Sequence, residues 1–193
     1  MYPVNPELMD YLEKNHRLTN IRFYYDDLLR FSDYMPVHDK EGKDTLWLNV
    51  YYPEFEHAEI EANLNKIYTL LHSDGDVDVL PFLKVDSIHF CTFGNSKPFR
   101  IRVRNILNDN YTNFYIKKAD ASRIYGLELE EILSPNRINF LLYKDTLIEE
   151  HILGIPGDVF IEKHLDQCSP QEKAQIAKEF VKFNERCLNG LLG

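Results

Sequence analysis

Six consecutive residues constrain this chain more than any others. Between positions 99 and 104, Phe99, Ile101 and Val103 interleave with Arg100, Arg102 and Arg104. A period of two with one apolar and one charged face describes a half-buried β-strand. The neighbouring segments continue the theme. Residues 85–93 are apolar-rich and run into Gly94-Asn95-Ser96-Lys97-Pro98, a turn signal. Asn108-Asp109-Asn110 supplies the next turn, and residues 113–118 form a third strand rich in β-formers. Residues 121–133 change period: helix formers with three-to-four spacing through Tyr125, Leu129, Ile132 and Leu133 read as a helix. Residues 139–143 and 146–152 read as two further strands joined by a tight Lys144-Asp145 turn. The expected fold class is α+β.

The remainder is read in chain order. Asn5 caps a first helix with Pro6 at its first position. Thr19 or Asn20 can cap a second, carrying Ile21, Tyr24, Tyr25, Leu28 and Leu29. Residues 35–44 read as a polar loop. Residues 45–51 alternate Leu46, Leu48 and Val50 with Trp47, Asn49 and Tyr51, a strand. Residues 55–72 read as a long amphipathic helix with Ile60, Leu64, Ile67 and Leu71 on one face. Ser73-Asp74-Gly75-Asp76 then breaks the chain and suggests a boundary. Near the other end, Asp158 can cap a short helix over 159–165. Ser169-Pro170-Gln171-Glu172 is a capping box that opens a helix burying Ile176, Ala177, Phe180, Phe183, Cys187 and Leu188. The expected organisation is a mostly helical accessory segment over 1–84, a small lobe over 85–152, and a hinge with further helices over 153–193.

Charge and composition exclude several classes. A net charge of -9 argues against a general nucleic-acid or anionic-membrane binder, although it leaves room for a local basic patch. The three cysteines, Cys91, Cys168 and Cys187, form no Cys-x-x-Cys pair and suit a reducing compartment. No apolar run approaches the ~20 residues of a membrane span, and no signal peptide is recognisable. The default location is the cytoplasm. Asp74, Asp76 and Asp78 resemble a calcium loop only superficially: Gly75 sits too early and no glutamate follows at the twelfth position. The seven histidines include no pair at metal-ligand spacing.

The order strand, turn, strand, lysine-bearing strand, glutamate-bearing helix, strand, strand resembles the small lobe of the protein-kinase-like fold, which includes the aminoglycoside and small-molecule phosphotransferases. The resemblance covers about half the chain and lies in this order of elements. It implies ATP as cofactor, with Mg²⁺ in the intact parent. A lysine on the third strand would pair with the nucleotide phosphates and with a helix carboxylate. Here Phe114-Tyr115-Ile116-Lys117 stands for that strand and 127–133 for the helix. Lys117 is then the implied phosphate ligand, with Lys118 the next choice. Glu128 is the implied partner, with Glu130 and Glu131 as competitors. Gly94, Asn95 and Ser96 would cover the phosphates through backbone N–H groups and the Ser96 hydroxyl, although the turn lacks Gly-x-Gly-x-x-Gly. Residues 149–154 stand for the hinge, with Glu150 and Ile152 as nucleotide-binding positions.

In that family the long helix after the hinge leads to the loop bearing the base aspartate and a metal-binding asparagine. The implied catalytic and metal residues therefore fall outside these 193 residues. The parent is expected to continue with an aspartate within a residue or two of Gly193, and this fragment to bind nucleotide weakly and turn nothing over. The partners implied are a nucleotide and an unread phosphate acceptor, with no nucleic acid and no membrane. The competing reading is a pseudokinase-like or other non-catalytic module. Each candidate has a plainer alternative: Lys117 as the solvated end of a strand, Gly94 to Ser96 as a simple hairpin, the arginine stripe as a solvated face.

Overall fold

The computed structural model describes residues 2–134 and 137–192. The expectation placed on Gly193 lies outside them, as does the side chain of Cys187. The described residues form an α+β structure around one antiparallel sheet of seven strands. Before the sheet come α1 (Pro6–Lys14) and the single turn α2 (Tyr25–Leu28). The strands are β1 (Asp33–His38), β2 (Asp44–Tyr51), β3 (Leu83–Cys91), β4 (Phe99–Asn105), β5 (Tyr111–Lys118), β6 (Phe140–Tyr143) and β7 (Thr146–Glu150). Between β2 and β3 lies α3 (Glu54–His72); between β5 and β6 lies α4 (Ala121–Leu133). Across the sheet the order is β1-β2-β3-β4-β5-β7-β6. α5 (Gly157–Lys163) and α6 (Pro170–Leu192) follow.

Two compact units are distinguishable: residues 1–124 with 139–151, and residues 125–138 with 152–193. The first holds the whole sheet. Its core lies on one sheet face, where Ile60, Leu64, Ile67 and Leu71 of α3 join Val85, Ile88, Phe99, Ile101, Val103, Phe114, Ile116 and Ile148. Alternation selects these positions: Phe99, Ile101 and Val103 are buried while the arginines between them are half-buried. Two polar ties fix α3 on the sheet. The Asn65 side chain donates to the Leu83 carbonyl at 3.1 Å, and the Val85 N–H donates to Glu61 Oε1 at 3.0 Å. The second tie sits where Asp86 is an extra residue that shifts the β3–β4 register. On the opposite face of β6 and β7, Phe140, Leu142 and Leu147 are also buried. There the segment after α1 adds a parallel bridge, Leu18 to Leu142, and Arg17 lies 4.7 Å from the Phe140 ring centroid.

The sequence expectation for residues 1–84 requires correction. They are not mostly helical, and no boundary falls near 84. Residues 33–51 form β1 and β2, which extend the sheet beyond β3. The expected loop over 35–44 hides β1 because an edge strand need not alternate: five of its six residues are exposed and it tolerates Pro36. The second helix is also shorter than expected, a single turn from Tyr25 to Leu28.

In the second unit the capping box is present at α6: the Glu172 N–H donates to Ser169 Oγ at 3.2 Å and the Ser169 N–H donates to Glu172 Oε2 at 2.7 Å. The face expected to be buried is exposed, with Phe180 at 69% and Leu188 at 58%. Periodicity states that a face is apolar; it does not state that a partner covers it.

Candidate functional site

The β5–β7 ladder sets the site. Lys117 pairs with Leu147 and Tyr115 with Glu149, so alternation puts Tyr115, Lys117, Leu147 and Glu149 on one face. Glu149 is one diagonal step from Lys117, within reach of a long side chain. The Lys117 ammonium lies 2.9 Å from Glu149 Oε2. From the first turn of α4, Arg123 grips the same carboxylate in bidentate fashion, Nε to Oε1 at 2.9 Å and a terminal nitrogen to Oε2 at 3.0 Å. The Glu149 side chain is 5% exposed and that of Lys117 16%. Burial alone would disfavour the carboxylate charge, but the Arg123 hydrogen bonds and the Lys117 charge outweigh it and hold Glu149 below the ordinary glutamate range.

The expected partner of Lys117 was a helix carboxylate; the structure supplies a strand carboxylate instead. Glu128 is buried and belongs to the second compact unit, as do Glu130 and Glu131. Lys118 alternates to the other side of β5, where its ammonium lies 2.7 Å from both Asp26 and Asp145.

Beside Lys117 opens a cleft of about 380 Å³, lined by Asn95, Ser96, Lys117, Lys118, Asp120, Ser122 and Arg123. Asn95 and Ser96 come from the β3–β4 turn. Gly94 opens that turn at φ +82°, a left-handed backbone that favours glycine. The turn is tied down by Tyr25, whose hydroxyl donates to the Lys97 carbonyl at 2.8 Å and whose ring meets Phe99 edge-on at 5.4 Å. The Cys91 N–H closes the turn on the Pro98 carbonyl at 3.0 Å. At the other wall, Asp120 precedes α4 and accepts from the Ser122 N–H at 3.0 Å and the Ser122 hydroxyl at 2.5 Å. Hydrogen bonding by Ser122 holds the Asp120 carboxyl below its usual range.

Of the residues singled out in the sequence, Asn95, Ser96, Lys117 and Lys118 therefore line one cleft, with Gly94 shaping its turn and the Lys118 ammonium engaged by Asp26 and Asp145. Glu150 and Ile152 are not among the lining residues. Glu150 lies opposite Phe114 on the core side of β7, and Ile152 belongs to the second unit and is 55% exposed. Sequence reasoning missed Glu149, Arg123, Asp120, Ser122 and Tyr25. Only the register between β5 and β7, which brings Glu149 to a diagonal step from Lys117, identifies Glu149 as the counter-ion. Among the described residues, no group of three or more His, Cys, Asp or Glu side chains is arranged to hold a metal ion.

Chemically, the cleft is a pocket within the usual size range for small-ligand sites. It presents the Lys117 ammonium and the Arg123 guanidinium, both shared with Glu149, beside the Asp120 carboxylate and small polar side chains from a turn and a helix start. That inventory suits phosphate oxygens. No family model, curated protein or solved structure matches this chain.

Proposed function

We propose that this chain binds the phosphates of ATP in the Lys117 cleft and serves as the nucleotide-binding part of a kinase-like phosphotransferase. The observation that carries the reading is the convergence on one cleft of the Asn95–Ser96 turn and the lysine two strands away. The element order fits the same reading: turn-linked strands β3 and β4, lysine strand β5, helix α4, then β6 and β7.

In this reading the turn and Lys117 position the phosphates, and Arg123 adds positive charge at the helix start. Glu149 orients both cations without entering the cleft lining. Bound Mg²⁺ would neutralise developing charge on the phosphates. The residues named here bind and orient the phosphates.

The triad also favours a second reading, a non-catalytic module of the same fold. Glu149 already satisfies Lys117 and Arg123 internally, as a purely structural ion cluster would. Calorimetric titration with ATP, with and without Mg²⁺, separates the two. The phosphotransferase reading expects saturable binding that Lys117→Ala weakens at least tenfold while the circular dichroism spectrum is retained. Undetectable binding of ATP at millimolar concentration, or full affinity in the variant, defeats it.

A further inference from the structure

The same sheet face carries further cations beside the cleft, where Arg100 pairs with Tyr115 one diagonal step from Lys117. One cross-strand row runs Asn49, His89, Arg100, Tyr115, Glu149, each residue opposite the next. Arg102 stands two residues beyond Arg100 on this face, about 7 Å along the strand. The Arg100 guanidinium lies 4.7 Å from the Trp47 ring centroid, and that of Arg102 lies 4.4 Å from that of Tyr111. These ring contacts hold both side chains, and Arg100 also hydrogen-bonds the Tyr115 side chain across the strand pair.

What these arginines lack is a counter-ion. Their neighbour Arg104 meets Asp86 at 3.5 Å and Asp109 at 3.0 Å. Neither Arg100 nor Arg102 forms an ion pair among the described residues, in a chain with 31 acidic side chains. The Arg102 Nε–H, a donor, is buried without a hydrogen-bond partner among the described residues. An unsatisfied donor of this kind costs roughly 1–3 kcal/mol, and an oxyanion is the kind of group that accepts from it. His89 registers the same positive field: burial first, then Arg100 and Arg102, lower its pKa to about 4, so it adds no charge at neutral pH.

We propose that Arg100 and Arg102, seated on Trp47 and Tyr111, form a second oxyanion site on this sheet face. It takes a small molecule bearing phosphate or carboxylate groups. Resting on the phosphotransferase reading above, this molecule is the phosphate acceptor, and the acceptor is anionic. The fork geometry of guanidinium matches both kinds of oxyanion, and two forks about 7 Å apart suit a ligand with two anionic groups.

Trp47 is the chain's sole tryptophan, so its fluorescence reports on Arg100 directly. Sodium pyrophosphate and, separately, sodium citrate are titrated into the full chain at constant ionic strength. A saturable change is expected with at least one of them, and the one that elicits it assigns the oxyanion as phosphate or carboxylate. Arg100→Gln with Arg102→Gln weakens that response at least tenfold, and Arg100→Lys with Arg102→Lys, which keeps the charge but loses the fork, weakens it severalfold. Lys117→Ala leaves it unchanged, which separates this site from the nucleotide cleft: absence of ATP binding by the unmodified chain with retention of the fluorescence response defeats the nucleotide reading alone. Absence of any saturable response, or wild-type affinity in the paired glutamine or lysine variants, overturns the proposal.

Discussion

At the scale of single residues, Glu149 has the largest predicted effect. Removing one member of a buried, hydrogen-bonded ion cluster leaves the others uncompensated, at a cost of about 3 kcal/mol. Glu149→Gln is therefore expected to lower stability by roughly that amount in urea unfolding at pH 7. The sign of the pH dependence follows from the depressed carboxyl. Its contribution is complete above the unfolded-state value of about 4.3 and is lost as pH falls through the folded value. The gap between wild type and variant should therefore be constant from pH 7 to about 5 and close in stronger acid. A gap that persists unchanged at pH 2 would mean that packing, not charge, sets the effect.

At the scale of elements, the β3–β4 turn is rigid because Tyr25 holds it from outside. Tyr25→Phe removes the hydroxyl bond to Lys97, worth about 1 kcal/mol. Amide exchange at Cys91, whose N–H closes the turn, should quicken about fivefold, and ATP affinity should fall with it. An unchanged exchange rate would show that the turn does not depend on Tyr25. The elements themselves were readable to different degrees. β3 to β5 followed from alternation and turn residues. α4 followed from the change of period, although it buries Ile124 and Leu127 rather than Tyr125, Leu129 and Ile132. β6 and β7, with neither face exposed, followed from the tight turn between two apolar runs. β1 was not readable: an exposed edge with a proline carries no alternation to detect. The cleft was half readable. Asn95, Ser96 and Lys117 advertise themselves through turn chemistry and strand position. Glu149 sits next to Glu150 in sequence, and only the register of a non-neighbouring strand decides which of the two faces Lys117. The apolar stripe on α6 was legible, but its exposure was not.

At the scale of the whole molecule, the described residues contain no helix long and apolar enough to cross a membrane. Their two compact units differ in how their elements are buried. β4 and β5 of the first unit hold several fully buried side chains, including Phe99, Ile101, Phe114 and Ile116. The described side chains of α6 are exposed along its length. Local opening follows buried apolar contact. Hydrogen exchange by mass spectrometry is therefore expected to label α6 at least a hundredfold faster than β4 and β5; equal protection would contradict this picture.

The sheet's outermost strand has a further consequence. At β1 the ladder ends in a strand that contains Pro36, lies mostly exposed and is flanked by Asp33 and His38. A growing fibril needs an uninterrupted row of backbone donors and acceptors at such a rim, and a proline removes one donor outright. Replacing Pro36 with valine would complete the row and turn a self-limiting sheet into a template for aggregation.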